Sequence, residues 1–389
     1  MVEKGSEQLA EDLVTLTLPS PLVQMEAQFK RTAIIGVGLI GGSIGLRMKQ
    51  MEYGGHIVGH DRLDVLDEAI SRGAIDEGAG DLAQALLMSD LVVLATPADE
   101  TLHLLPTVLR NAKPGAIVTD TAPTKTEIVE LARSVSDAKG VYIGGHPLAG
   151  SNRQGIANAD ANLFDSAYWL LTPTKQTPEA ERESLAWWVR MMGSYPLVLE
   201  APLHDRLVAM TTHVPFVIAL ALSRWAAQRS ADEPMLQKIA TGNFQTLTSL
   251  AALPYEMWNP VVETNRDQIA AAMADFLDVL GDSIRRLQEG DLPEVWQEAH
   301  LFQKKLARER PGDWDANCDV VVTASDRPGS IAKIAGLLAA AEINIRDIGV
   351  LYVRERKGGT LRVGLETRGD ARRALELLVE HGFSARLKE

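Results

Sequence analysis

The chain has 389 residues, is 46% hydrophobic and carries a formal net charge of −13. That length holds two or three domains with substantial cores, and the negative charge argues against nucleic acid or an anionic membrane as a partner. The single cysteine, Cys318, excludes a disulfide framework and a multi-cysteine metal site, and the dispersed histidines offer no metal-ligand spacing. No run approaches the roughly 18 apolar residues of a membrane span. The N-terminus lacks the basic-then-apolar pattern of an export signal, so the expectation is a cytoplasmic protein.

Residues 1–28 are polar and weakly periodic and read as a flexible extension. From 29 to 174, short apolar runs at 32–35, 56–59, 91–95, 116–119, 141–144 and 167–172 alternate with helical patterns. This predicts an α/β, Rossmann-type domain: a mainly parallel sheet with helices on both faces. The last run is expected to be an antiparallel edge strand stopped by Pro173. From 175 to 310, helical stretches dominate (178–193, 203–228, 234–252, 259–289 and 293–308), predicting an all-α substrate and dimerisation domain, and hence a homodimer. Residues 308–313 read as a linker. From 317 to 389 the order is βαββαβ, a small α+β domain with its helices at 331–341 and 371–381.

Gly36-Val37-Gly38-Leu39-Ile40-Gly41 joins the first strand to the first helix. The G-x-G-x-x-G pattern is weak evidence alone and strong between a strand and a helix. Gly36 permits the tight turn, Gly38 lets the backbone approach a pyrophosphate, and Gly41 lets helix and strand pack closely. The diphosphate would sit on the amides that open the helix, around Leu39 and Ile40. Asp61 ends the second strand about 20 residues later, where a carboxylate accepts hydrogen bonds from the ribose hydroxyls of NAD and repels the 2′-phosphate of NADP. Arg62 beside it is a residue type that holds such a phosphate, so NADP stands as the alternative to the favoured NAD. Thr96 and Pro97 follow the run 91–95, where the loop passes the nicotinamide end of the cofactor. Asp120 belongs with this cofactor-side group.

A second motif, Gly144-Gly145-His146-Pro147-Leu148-Ala149-Gly150-Ser151, is placed at the C-terminal end of a sheet strand, where open α/β folds bind ligands. His146, stiffened by Pro147 and flanked by glycines, could draw off a substrate hydroxyl proton as hydride leaves carbon; the plainer reading is a loop histidine that caps backbone groups. His213, in Thr211-Thr212-His213-Val214-Pro215, is either an unusual polar group at a helix kink or a satisfied core histidine. Trp187 and Trp188 read as core packing.

The succession GVGLIGGS, HDR, ATP, DTAPTK, GGHPLAGS, HDRLVAMTTHVP and MW…N resembles the prephenate and arogenate dehydrogenase family, and Asp326-Arg327-Pro328-Gly329 with Asn344-Ile345 resembles an ACT regulatory domain. The resemblance implies oxidative decarboxylation of prephenate or arogenate. Hydride passes from the hydroxyl-bearing ring carbon to NAD, the ring carboxylate leaves as CO2, and the ring becomes aromatic. It also implies that His146 is the catalytic histidine and that His213 is a catalytic group near the substrate. Ser151, Asn152, Arg153, Thr212, Asn265 and Arg266 are the expected substrate-side residues. Asp326, Pro328, Gly329, Asn344 and Ile345 are expected to hold an amino-acid effector, tyrosine by analogy.

The sequence departs from the family on the substrate side. Pro123 stands where the family has a serine that bonds the catalytic histidine. Phe216 replaces a second helix histidine, Ser249 replaces a carboxylate-binding arginine, and Thr246 replaces an acidic residue. A dicarboxylic substrate needs a cation, because charge-assisted carboxylate pairs are strong and directional. Arg153, Arg206, Arg266 and Lys125 are the candidate replacements, and Thr121 or Thr124 the candidate hydroxyl. Three readings follow: the same substrate gripped from new positions, a pocket rebuilt for another ring or hydroxy acid, or a catalytically weak NAD- and amino-acid-binding regulator.

Overall fold

A computed structural model describes residues 29–150, 153–308, 318–324, 329–354, 358–365 and 367–387. The extension 1–28 therefore lies outside the described residues. The chain divides into two units, one of Met1–Asp165, Trp169–Val208 and Ser249–Thr264, the other of Ser166–Tyr168, Ala209–Thr248 and Asn265–Glu389.

The first unit opens with β1 (Arg31–Ile35), α1 (Leu39–Gln50), β2 (His56–His60), α2 (Leu63–Ser71), β3 (Glu77–Gly78), α3 (Leu82–Leu86), β4 (Leu91–Leu94), α4 (Ala98–Asn111), β5 (Ile117–Asp120), α5 (Thr126–Ser134) and β6 (Val141–Tyr142). The strands form one sheet in the order β3-β2-β1-β4-β5-β6, and all its pairs are parallel. Successive strand side chains point to opposite faces. Ala33 and Ile35 of β1 and Val92 and Leu94 of β4 therefore enter one core, while Ile34, Leu91 and Val93 enter the other. Both faces are buried, which explains why these strands read as continuous apolar runs. Strand order reverses between β1 and β4, so the crevice beyond their carboxyl ends is where such a sheet receives a ligand.

Two expectations need correction. The run 141–144 does not remain one strand: the chain leaves the parallel sheet after Tyr142, and β7 (Gly144–Pro147) pairs antiparallel with β8 (Tyr168–Thr172) in a separate three-stranded sheet completed by β9 (Tyr195–Val198). The glycines make this departure possible. A Cβ on Gly144 would stand 2.3 Å from Thr172 Oγ1, and one on Gly145 would stand 2.5 Å from the Asp120 carbonyl oxygen. The run 167–172 is thus no edge of the parallel sheet. The first unit also extends past 174. Helix α6 (Glu179–Met191) buries Leu185, Trp188 and Val189 in the same core as Ile34 and Ile44, and Trp188 stacks edge-on against Trp169 at 5.4 Å between ring centroids.

Helix α7 (Ala201–Val208) passes through a π-helical turn, Ala209–His213, into α8 (Val214–Arg229). Contrary to the expectation from the sequence, Ala201–Arg229 is long and apolar enough, by length and composition, to cross a membrane. Its first turns carry the buried, mutually bonded pair His204 and Asp205.

In the second unit, α9 (Leu236–Ile239), α10 (Asn243–Thr248), α12 (Arg266–Glu289) and α13 (Pro293–Arg308) accompany α8; α11 (Tyr255–Thr264) belongs to the first. The C-terminal segment folds as β10 (Asp319–Ala324), α14 (Ser330–Ala340), β11 (Ile345–Arg354), β12 (Gly358–Leu365), α15 (Arg368–Glu380) and β13 (Ser384–Leu387). Its antiparallel sheet runs β11-β12-β10-β13, and Val320, Val322, Val363 and Leu365 pack against Ile334, Leu338, Ala374 and Leu378 of the helices.

Candidate active site

The glycine loop meets the requirements of a dinucleotide cradle. Gly36 has φ +88°, in the left-handed region, and a Cβ there would lie 2.7 Å from the carbonyl oxygen of Ala95, at the end of β4. A Cβ on Gly41 would lie 2.0 Å from the carbonyl oxygen of Gly36, so helix and turn touch at that point. A Cβ on Gly38 would have nothing within 4 Å: this is the open face, at the N-cap of α1. The same backbone amides that make the turn are those an anionic diphosphate needs. Leu39 and Ile40 form the first turn of α1, and Thr96 borders the loop, its hydroxyl 2.9 Å from that of Thr101, with Pro97 as the N-cap of α4.

Asp61 follows β2. Its Oδ2 accepts from the Val37 amide at 2.7 Å and its Oδ1 from the Arg62 amide at 2.7 Å, so the carboxylate is fixed against the glycine loop. The Arg62 side chain is 77% exposed and pairs with Asp64 at 3.3 Å. Asp120, expected on the cofactor side, is instead turned inward. It is fully buried, and its carboxylate accepts from Lys125 Nζ, Tyr142 Oη at 2.8 Å, the Gly145 amide at 3.1 Å and the Ala122 amide at 3.0 Å. Lys125 Nζ also donates to the Gly145 carbonyl oxygen at 2.8 Å. Burial pushes the Lys125 ammonium below its usual range against the pull of Asp120, and burial with the Asp120 charge pushes the Tyr142 phenol well up. Lys125 is therefore no clamp for a substrate carboxylate; it holds the backbone of the residue before His146. Thr124 is also committed, its hydroxyl 2.8 Å from that of Thr264.

His146 is half-buried on β7, beside the carboxyl end of β5. Its Nδ1 lies 2.9 Å from Nε2 of His204, and His204 Nδ1 lies 2.8 Å from Asp205 Oδ1. The Asp205 carboxylate also accepts the amides of Lys125 at 2.7 Å and Thr126 at 2.8 Å, at the start of α5. His204 and Asp205 are 0% and 2% exposed. Burial holds His204 below the ordinary histidine range, the Asp205 bond opposing it. For Asp205, burial acts upward and is outweighed by the bonds from His204, Thr126 and Lys125, so its carboxyl lies below the usual range. Both residues open the HDRLVAMTTHVP motif of the family resemblance, yet the sequence assigned neither a role.

The second unit holds the remaining candidates. His213 is buried in the π-helical turn, and its Nδ1 lies 3.2 Å from Nδ2 of Asn265, itself 4% exposed. Asn265 thus serves His213 rather than presenting its amide to solvent. Thr212 and Arg266 are exposed, as are Arg153, Arg206 and Ser249 of the first unit; Phe216 is buried. Gly329 caps α14 with φ +89°, Asn344 is exposed, and Ile345 opens β11. Ser151, Asn152, Asp326 and Pro328 lie outside the described residues.

A parallel nucleotide-type sheet with a glycine cradle and an adjoining histidine relay defines the class of a dinucleotide-dependent enzyme. Comparison with known proteins narrows it: residues 44–194 match the nucleotide-binding domain of prephenate dehydrogenase and residues 200–304 its dimerization domain. The chain is 30% identical over 357 residues to a prephenate dehydrogenase of Lactococcus lactis, spanning 90% of this chain and 97% of that protein. It is 29% identical to one of Bacillus subtilis, spanning 89% and 95%. A crystal structure of prephenate dehydrogenase from A. aeolicus, in complex with hydroxyphenyl propionate and NAD+, superposes with a TM-score of 0.66 at 25% identity, over 74% of this chain and all of that one. A Synechocystis arogenate dehydrogenase gives 0.63 at 26% identity, over 72% and 99%. The chain belongs to the prephenate dehydrogenase family.

Proposed function

We propose that this protein is an NAD-dependent dehydrogenase that oxidatively decarboxylates prephenate or arogenate, as its relatives are named to do. The observation that carries the reading is one of adjacency. Gly36 touches the end of β4, β4 pairs with β5, and the end of β5 touches Gly145, next to His146. The cofactor cradle and the histidine thus share the carboxyl end of one sheet. NAD, when bound, supplies the hydride acceptor. Gly36, Gly38, Gly41 and the amides of Leu39 and Ile40 hold its diphosphate, and Asp61 takes the ribose hydroxyls. His146 accepts the substrate hydroxyl proton as the carbon below it gives up hydride and the ring loses CO2. His213, oriented by Asn265, is a second substrate-side histidine. Arg153, Arg206 and Arg266, all exposed, are the candidate cations for a substrate carboxylate. Assay of NADH formation with each acid and each of NAD and NADP tests this; folded protein that turns over neither acid sinks it.

The protein is a cytoplasmic homodimer in this reading. Leu277, Leu280, Ile284, Leu287, Trp296 and Phe302 are exposed on α12 and α13, within the segment that matches a dimerization domain, and apolar surface of that kind ordinarily meets a partner. Light scattering of the purified protein reports its mass. The C-terminal βαββαβ module lies outside both family segments and is read as an ACT-type regulatory domain, with Gly329, Asn344 and Ile345 on the ligand side and Asp326 and Pro328 completing it from sequence. Its effector is an amino acid, tyrosine first. Tyrosine added during turnover should inhibit, and removal of residues 318–389 should abolish that response.

A further inference from the structure

We infer that His204 and Asp205 are positioning residues for His146: Asp205, fixed by the amides that open α5, holds His204 so that it selects the tautomer of His146 with its base nitrogen at Nε2. The inference rests on the reading of His146 as the proton-accepting group.

Asp205 is ionised, since its oxygens accept the amides of Lys125 and Thr126, and a carboxylate so bonded stays charged. His204 Nδ1, 2.8 Å from Asp205 Oδ1, is then its donor nitrogen. A buried histidine of lowered basicity carries one ring proton near neutral pH, so His204 Nε2 bears the lone pair. That nitrogen accepts at 2.9 Å from His146 Nδ1, which must carry the His146 proton. Nε2 of His146 is left as the basic nitrogen. When it takes a proton, the charge on His146 is held through His204 by the Asp205 carboxylate. The groups that face the relay from neighbouring elements are Lys125 and Asp120 of the β5–α5 connection and Tyr142 of β6; the first two pair with each other, and Tyr142 donates to Asp120. The relay also accounts for Pro123. In the resemblance the family places a serine there to bond the histidine, and proline cannot; in this chain His146 Nδ1 is met by His204 instead.

Two measurements test this. In the wild-type enzyme, 15N spectra of labelled histidine side chains, with His146 assigned by comparison with His146→Asn, should show Nδ1 protonated and Nε2 unprotonated at neutral pH. A His146 protonated at Nε2 overturns the inference, whatever the variants do. In steady state, Asp205→Asn should lower kcat about 10²–10⁴-fold, the size expected when a catalytic histidine loses its orienting carboxylate. It should leave the KM for NAD near its wild-type value and move the acid limb of kcat/KM to lower pH. Loss of rate with an unmoved acid limb marks a merely structural role and also overturns it. An NAD-induced rise in Tm verifies that each variant is folded. The two failures are separable: an active His146→Asn enzyme defeats the reading of the active site, while an inactive one with an unmoved Asp205→Asn limb defeats only the relay.

Discussion

The glycine loop and the His146 strand serve the same end of one sheet, yet they are specified in opposite ways. The loop is local: Gly36, Gly38 and Gly41 lie within six residues, and it is held from outside by His60, Asp61, Ala95 and Thr96, at or just beyond the ends of adjacent strands. Its ligand groups are main-chain amides, so it asks only for absent side chains. The His146 site is assembled over long sequence distances. Asp120, Lys125, Tyr142, His146, His204 and Asp205 come from segments that only the fold brings together, and each polar group there is matched to a specific partner. A site made of backbone survives divergence wherever its glycines do. A site made of bonded side chains must keep its partners together, because a buried group that loses its partner is costly.

Substitutions can break the comparison on either side. The largest effect is expected from His146→Asn, which should cut kcat about 10²–10⁴-fold while an NAD titration followed by Tm stays at the wild-type value; equal loss of NAD binding would mean the two sites are not separable. Lys125→Met leaves Asp120 buried without its cation and should cost about 3–5 kcal/mol of stability, read by denaturant unfolding, with part of the loss restored by adding Asp120→Asn. On the glycine side, Gly41→Ala forces a Cβ onto the Gly36 carbonyl and should cost about 1–3 kcal/mol. Gly38→Ala meets only open space in the protein, so it should keep the wild-type Tm and weaken NAD about tenfold, roughly 1.4 kcal/mol. If both alanines act on Tm alike, the distinction between packing glycine and ligand glycine is lost.

A smaller effect comes from pH. His204 and Asp205 both have pKa values lowered by folding. For such groups the unfolded chain binds protons first, so the stability they contribute is fully present above their ordinary pKa and drains away as pH falls toward the lowered folded value. Tm should therefore decline below about pH 6.5 through His204, and again below about pH 4 through Asp205. The second decline should be shallower in Asp205→Asn, the remainder coming from other carboxylates that folding holds low, such as Asp76 and Asp90. Smallest of all is Arg62→Ala. That side chain is exposed and paired only with Asp64 among the contacts described, so Tm and the choice of NAD over NADP should both hold, whereas Asp61→Ala should relax that choice.

How much of this was legible in the sequence follows the same division. The glycine spacing, Asp61 and the alternation of strand and helix are local patterns, and the sheet, its two cores and the turn follow from them. The C-terminal βαββαβ order was equally readable. The boundary near 175 was not. The run 178–193 has a helical period like those after it, and only the burial of Trp188 beside Ile34 assigns it to the first unit. Asp120, at a strand end, read as a cofactor-side group and Lys125 as a candidate cation for the substrate; nothing local reveals that they neutralise each other. His204 and Asp205 passed as an ordinary polar pair on a helix, since their importance lies in bonds to residues far away in the chain.

The Asp205 carboxylate hangs on the amides of Lys125 and Thr126, not on side chains. The hold on Asp205 is therefore indifferent to the side chains at 125 and 126, although Lys125 is fixed for another reason by its pairing with Asp120: most replacements keep an N–H in place, and the relay behind His146 can outlast the loss of a neighbouring serine. Only proline at 125 or 126 would delete one of those donors outright. Within an evolving lineage, a proline two or three positions later than Pro123 would be a far more consequential event than Pro123 itself.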